Sequence, residues 1–208
     1  MKVEIVPIPQ LISEAQYLKE SNGVSSKLLA CSYNKNTTLS KDTKLVIVGT
    51  LTPPDTAYFY CSFYNRIYGY IDEALKKLGR GGTKTLKELK RGLQEVHNER
   101  VNINLVNETE ISSKVTSIKE ILLKNGIAFL DVMDKAIRSR ESPYDEDIKY
   151  YTLAKNDFKE INSSTTIIAN SNLAKKCACE IGLKNVELLS QRFGKKRVWV
   201  EAIVQAIK

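Results

Sequence analysis

Four short apolar runs punctuate this chain, and the segments between them carry apolar residues at helical spacing. Leu45-Val46-Ile47-Val48 is unbroken and is stopped by Gly49. Ile127 to Met133, Thr165 to Ala169 and Val186 to Leu189 repeat the theme. Runs of this length without polar alternation read as strands buried on both faces. Asn65 to Leu78 instead places Ile67, Ile71, Ala74, Leu75 and Leu78 on one helical side. A basic helix follows Gly81-Gly82, with Lys84, Lys87, Lys90 and Arg91. Further helices are expected over Ile118 to Leu123, closed by Asn125-Gly126, over Asp145 to Ile161, from Asn170-Ser171 through Ile181, and over Val198 to Ile207. Strands alternating with helices predict an α/β chain, a three-layer α/β/α sandwich around a central, mainly parallel four-stranded sheet.

The remaining segments are read more coarsely. Residues 1–43 form a helical N-terminal extension, two helices marked by Leu11, Ala15, Leu18 and Leu28-Leu29 and interrupted at Ser21-Asn22-Gly23. Asn34 to Thr43 reads as a polar surface connection, Val101 to Thr116 as loop with room for one short strand, and Met133 to Ser142 as loop. The 208 residues suit a single domain.

Composition then narrows the function. A hydrophobic content of 42% excludes wholesale disorder. No apolar run nears the ~20 residues that span a bilayer, and Met1 to Gln10 lacks a signal-peptide pattern, so a cytoplasmic protein without membrane contact is expected. The net charge of +8 favours a polyanionic partner. Lys76, Lys77 and Arg80 join the basic helix as the densest positive stretch, either a solvated face or a surface for phosphates. Cys31, Cys61, Cys177 and Cys179 do not make a metal pattern, because Cys177-Ala178-Cys179 is tighter than the usual Cys-x-x-Cys pair. His97 is the sole histidine, which disfavours a Ser-His-Asp hydrolase and a histidine-ligated zinc enzyme. No phosphate-cradling P-loop or dinucleotide fingerprint occurs.

The richest chemistry follows the first strand. Thr50-Leu51-Thr52-Pro53-Pro54-Asp55 cannot be helical, and Tyr58, Phe59, Tyr60, Phe63, Tyr64 and Tyr68 then crowd around Asn65. Loops at the carboxyl ends of parallel strands are where open α/β sheets bind ligands. Gly49, Pro53, Phe59-Tyr60 and Asn65 with Ile67-Tyr68 resemble the first motif of the uracil-DNA glycosylase superfamily, nearest the branch of hypoxanthine-DNA glycosylases and their mismatch-specific relatives. A second block, Asn125-Gly126-Ile127, Asp131-Val132, Arg138, Ser142, Asp145 and Ile148, is similar to that branch in order. Asn170 stands at the third strand end, with Ser171 where the family has Gly. Leu188-Leu189-Ser190 keeps the Ser of the family's second motif, lacks its Pro, and has Arg192 in place of its second Ser.

The resemblance implies a monofunctional DNA glycosylase that hydrolyses the N-glycosidic bond of a flipped-out damaged, deaminated or modified base. Asn65 would be the catalytic amide. Gly49, Thr50, Leu51, Phe59, Tyr60 and Asn170 would bind the base, with Phe59 or Tyr60 stacking on it. Ser190, Arg192, Phe193, Lys195, Lys196 and Arg197 would hold DNA, Phe193 as a wedge. No metal or cofactor is called for, the partner is duplex or single-stranded DNA, and a monomer is expected. Asp131 either faces the pocket or ties down a loop, the second being favoured. Two other readings stay open: a non-catalytic DNA-binding module of the same fold, and an unrelated nucleotide-handling α/β enzyme.

Overall fold

The computed structural model describes residues 8–52, 58–59, 61, 65–102, 108–140, 145–159, 161–190 and 195–208. Its centre is β3 (Leu45–Gly49), every residue of which is buried. Parallel β4 (Ile127–Asp131) pairs on one side and parallel β7 (Thr166–Ala169) on the other. Parallel β8 (Val186–Leu188) extends the sheet beyond β7, in the order β4-β3-β7-β8. The expected α/β architecture with a parallel four-stranded sheet is therefore present. Alternate side chains of β3 serve opposite layers, as the two-residue period of a strand requires. Leu45 and Ile47 meet α2 (Ile67–Lys77), α3 (Leu86–Asn102), α4 (Glu108–Lys124) and α6 (Lys196–Ile207), with Trp199 and Ile203 buried as expected. Val46 and Val48 face α5 (Asn172–Ile181) and a second sheet.

That second sheet corrects the sequence reading. It is mixed, β1-β6-β5-β2, and joins β1 (Gln10–Leu11), β2 (Leu29–Cys31), β5 (Met133–Arg138) and β6 (Ile148–Leu153). Leu28-Leu29 is thus not helical: a short 3-10 turn over Ser26–Leu28 leads into β2, which pairs antiparallel with β5. The expected loop after Met133 is β5. The expected helix over Asp145 to Ile161 is β6 between two 3-10 turns. Ile148-Lys149-Tyr150-Tyr151-Thr152-Leu153 is rich in aromatic and β-branched side chains, and its pairing with β5 outweighs the helical spacing around it. Among the described residues of the N-terminal extension only α1 (Glu14–Glu20) is an α-helix, capped by Ser13.

Two further segments differ. Much of Val101 to Thr116 is helical, as the end of α3 and the first half of α4. Its many Asn and Thr residues hid a stripe, Ile111, Val115, Ile118 and Leu122, that packs on the core. Asn34 to Thr43 is more than a surface connection. Thr37 donates to the Phe129 carbonyl at 2.8 Å, Thr38 to that of Ile127 at 2.7 Å, and Asn34 to that of Asp131 at 2.9 Å. These side chains satisfy the outer edge of β4, which no further strand among the described residues covers in its sheet.

Gly126 turns α4 into β4. It has φ +66°, and a Cβ there would lie 3.0 Å from the Asp42 carbonyl oxygen. Both the left-handed backbone and the close backbone atom exclude larger residues. Gly126→Ala is expected to lower unfolding free energy by about 2 kcal/mol or more in urea titration, whereas Gly69→Ala, in α2 with open space around it, should not destabilise.

Candidate active site at the carboxyl edge of the parallel sheet

The parallel strands all deliver their chains to one edge. From β3 the chain runs into Thr50-Leu51-Thr52, from β7 into Asn170-Ser171, and from β8 into Leu189-Ser190. Gly49 is the last residue of β3, paired with Asp131 of β4. Its carbonyl and that of Thr50 accept from the N–H groups of Val132 and Met133 at 2.9 and 3.0 Å, so the β4–β5 junction is sewn to the first loop. Asn170 is anchored by its own N–H to the Val48 carbonyl at 3.0 Å. The cap of α5 is Ser171, not Asn170: its Oγ accepts from the Ala174 N–H at 3.1 Å. That leaves the Asn170 side chain outside the helix, partly buried.

A carboxylate joins these loops. Asp145 accepts from the Thr50 hydroxyl on one oxygen, at 2.5 Å, and from the Ser171 hydroxyl on the other, at 3.0 Å. Burial raises its pKa above the ordinary carboxylate value, while the two hydroxyls and the nearby Arg138 guanidinium act the other way. Arg138 ends β5 and is itself buried. Sequence reasoning gave Asp145 only a place near a helix start. Its position in the second resemblance block, after Arg138, was the available signal.

Asp131 takes the structural role. It is fully buried, and its carboxylate accepts from the Thr52 hydroxyl at 3.0 Å and the Tyr33 N–H at 2.9 Å. It ties the first loop to the N-terminal segment that covers β4.

Asn65 lies at the entry to α2, partly buried. Its Oδ1 accepts from the Ile67 N–H at 2.9 Å, which fixes that oxygen on the helix and turns Nδ2 the other way. The Asn65 carbonyl accepts from Lys90 Nζ at 2.6 Å. Lys90 is therefore not part of an exposed basic face. It is buried on α3, and burial lowers its proton affinity. Near it Cys61 is enclosed too, its thiol pushed up to about 12 by burial. Among the described residues no hydrogen bond links Asn65 to Thr50, Asp145 or Ser171.

The described members of the aromatic cluster, Tyr58, Phe59 and Tyr68, are core. Phe59 is fully buried, its ring 5.3 Å from that of Tyr58, 6.0 Å from Tyr33 and 6.2 Å from Phe129. The Tyr68 hydroxyl donates to the Phe59 carbonyl at 2.5 Å. Phe59 is thus enclosed among rings of the core in this structure. The side chain of Leu51 is likewise packed in the core, so only its backbone is a candidate for ligand contact. Tyr60, with Pro53, Phe63, Tyr64, Ser142, Arg192 and Phe193, lies outside the described residues.

The basic stretch begins α6. Lys195 is the N-cap residue and is exposed. Lys196 pairs with Glu73, and Arg197 Nε with Glu201 at 2.8 Å. Such exposed pairs are worth little to stability. Ser190 is partly buried just before them. The four cysteines are free, and among the described residues no cluster of His, Cys, Asp and Glu is arranged to hold a metal ion. No helix of the described residues is long and apolar enough to cross a membrane.

Because Asp131 fixes two segments from a fully buried position, Asp131→Ala should cost about 3 kcal/mol of stability in denaturant titration, leaving the Thr52 hydroxyl and Tyr33 N–H without their acceptor.

No family model matches the chain, and no curated protein does. A solution structure described as a "putative Uracil DNA glycosylase" from Methanosarcina acetivorans is similar at 16% identity, over 82% of this chain and 94% of that one, with a TM-score of 0.47.

Proposed function

We propose that this chain is a DNA glycosylase that hydrolyses the N-glycosidic bond of a base turned out of the duplex. The observation that carries this reading is the pair of hydrogen bonds made by Asp145. The sequence resembles the glycosylases in separate blocks, and Thr50, Asp145 and Ser171 belong to, or adjoin, three of them. Residues distant in sequence meet at the edge where a parallel sheet presents its ligand loops. The net charge of +8 and the exposed Lys195, Lys196 and Arg197 suit a phosphate backbone.

In such a reaction the enzyme first extrudes the nucleotide, at a cost of about a few kcal/mol. The C1′–N bond then breaks with its electron pair leaving on the base, and the sugar becomes a cation. Water adds its oxygen to C1′ and gives up a proton, which ends on the departed base anion through solvent. The donors that stabilise the departing base would be the backbone N–H groups around Thr50 and Leu51 and the Nδ2 of Asn65. An amide is no general base, so the rate enhancement rests on position and electrostatics. Asn170 would contact the base edge, and Tyr60 is the better candidate than the enclosed Phe59 to stack on it.

A second reading is favoured by one observation. The Asn65 oxygen is occupied by the Ile67 N–H at the start of α2, and Phe59 is occupied in packing; a DNA-binding module without chemistry would have both.

Asn65→Asp separates these readings. The new carboxylate keeps an acceptor for the Ile67 N–H and suits a helix start, so stability should stay within about 0.5 kcal/mol of wild type. Base release from duplexes carrying uracil, hypoxanthine or other modified bases should fall about 100-fold or more, with DNA affinity retained. Two proteins that are equally inert while both still bind DNA give the binding module; equal, measurable release by both removes Asn65 from the chemistry. Independently, replacing Lys195, Lys196 and Arg197 together by Ala should weaken DNA binding and reduce the slope of log affinity against log salt by about 2 to 3.

A further inference from the structure

We propose that Asp145 is a positioning residue that locks the loop after β3 to the loop after β7 and, in its ionised form, sets the spacing of the groups that receive the base. The inference rests on the excision reading and adds to it a residue that touches neither DNA nor base.

The geometry is specific. One carboxylate takes a hydroxyl from each of two loops, Thr50 at 2.5 Å and Ser171 at 3.0 Å. Thr50 follows directly on Gly49, and Ser171 directly on Asn170, so the candidate base-binding residues flank both ends of the bridge. Ser171 also caps α5, which makes that loop stiff. Thr50 is bound through its carbonyl to Met133. A carboxylate anchored between two braced loops fixes their separation, and errors of about 1 Å in a reacting geometry cost large factors in rate.

Protonation would disturb this arrangement. A carboxylate accepts both hydroxyl protons, whereas the acid must donate one of its own, so one of the two hydroxyls has to turn round. The groups facing Asp145 are Thr50 from the first loop, Ser171 and Cys177 from α5, Arg138 from β5 and its own neighbour Glu146. Burial raises the folded-state pKa of Asp145, so its contribution to stability is greatest in acid and declines as pH rises through the raised value. Catalysis by the ionised bridge would rise across that same interval. Activity and this residue's share of stability thus move in opposite directions, which a merely structural carboxylate would not produce.

Two measurements on the full-length protein test this. In amide NMR titration from acid to neutral pH, Thr50 and Ser171 should shift with one shared midpoint above the usual carboxylate range. Asp145→Asn should abolish that midpoint. In single-turnover base release, wild type should gain rate through the same pH interval, and Asp145→Asn should be at least tenfold slower at neutral pH with a flattened profile and unchanged DNA affinity. Thr50→Val, which keeps the carboxylate and removes one donor, should slow release and uncouple Thr50 from the titration while Ser171 still reports it. Separate midpoints for the two loops, or a wild-type rate and pH profile in Asp145→Asn or Thr50→Val, would overturn the inference. If the shared midpoint appears but wild type releases no base from any duplex, the excision reading and the catalytic part of this inference fall, and the coupling of the loops stands.

Discussion

Burial of β3 on every side governs the rest of this molecule. Leu45 to Gly49 has sheet neighbours on both edges and apolar layers on both faces, so none of its peptide groups can turn to water. Both neighbours run parallel to it, and parallel pairing demands long crossovers. Those crossovers carry the helices out over the faces and bring the chain back to the same end. The loops that emerge there are short of regular structure, and their polar groups must find partners among themselves. Thr50, Thr52, Asp131, Asp145 and Ser171 do so.

Two carboxylates do different work in that network. Asp131 sits at the end of β4, fully buried, and binds backward to the N-terminal segment that seals the sheet edge. Asp145 arrives from the second sheet and binds across two loops. The mixed sheet is therefore not an ornament on the parallel one. With Arg138 at the end of β5 and Asp145 in the 3-10 turn that leads into β6, it delivers both side chains to the ligand edge.

The central strands were legible in the sequence because their signal is local. An apolar run ended by Gly49, or by Asp131, needs no knowledge of its partners. Helix α2 was legible for the same reason, through Ile67, Ile71, Ala74 and Leu75. The mixed sheet was not legible, since β2 has three residues and exists only because β5 lies beside it. The α3–α4 region was misread because Asn and Thr lower helix propensity, although the stripe from Ile111 to Leu122 decides the outcome. In the site, the resemblance picked out Asn65 and Asn170, yet the buried fate of Phe59 and Lys90 depends on packing that no spacing encodes. A lysine in a run of basic residues reads as surface; only its contact with the Asn65 carbonyl reveals otherwise.

The account stands or falls on where nucleic acid meets the protein. A chemical-shift footprint with a duplex carrying a single abasic-site analogue reads this directly. The account predicts that perturbations concentrate at residues 49–51, 65–66, 170–171, 190 and 195–197. A footprint confined to the groove between α3 and α4, lined by Lys84, Glu88, Ser113 and Lys114, with the carboxyl edge of the sheet silent, would contradict it.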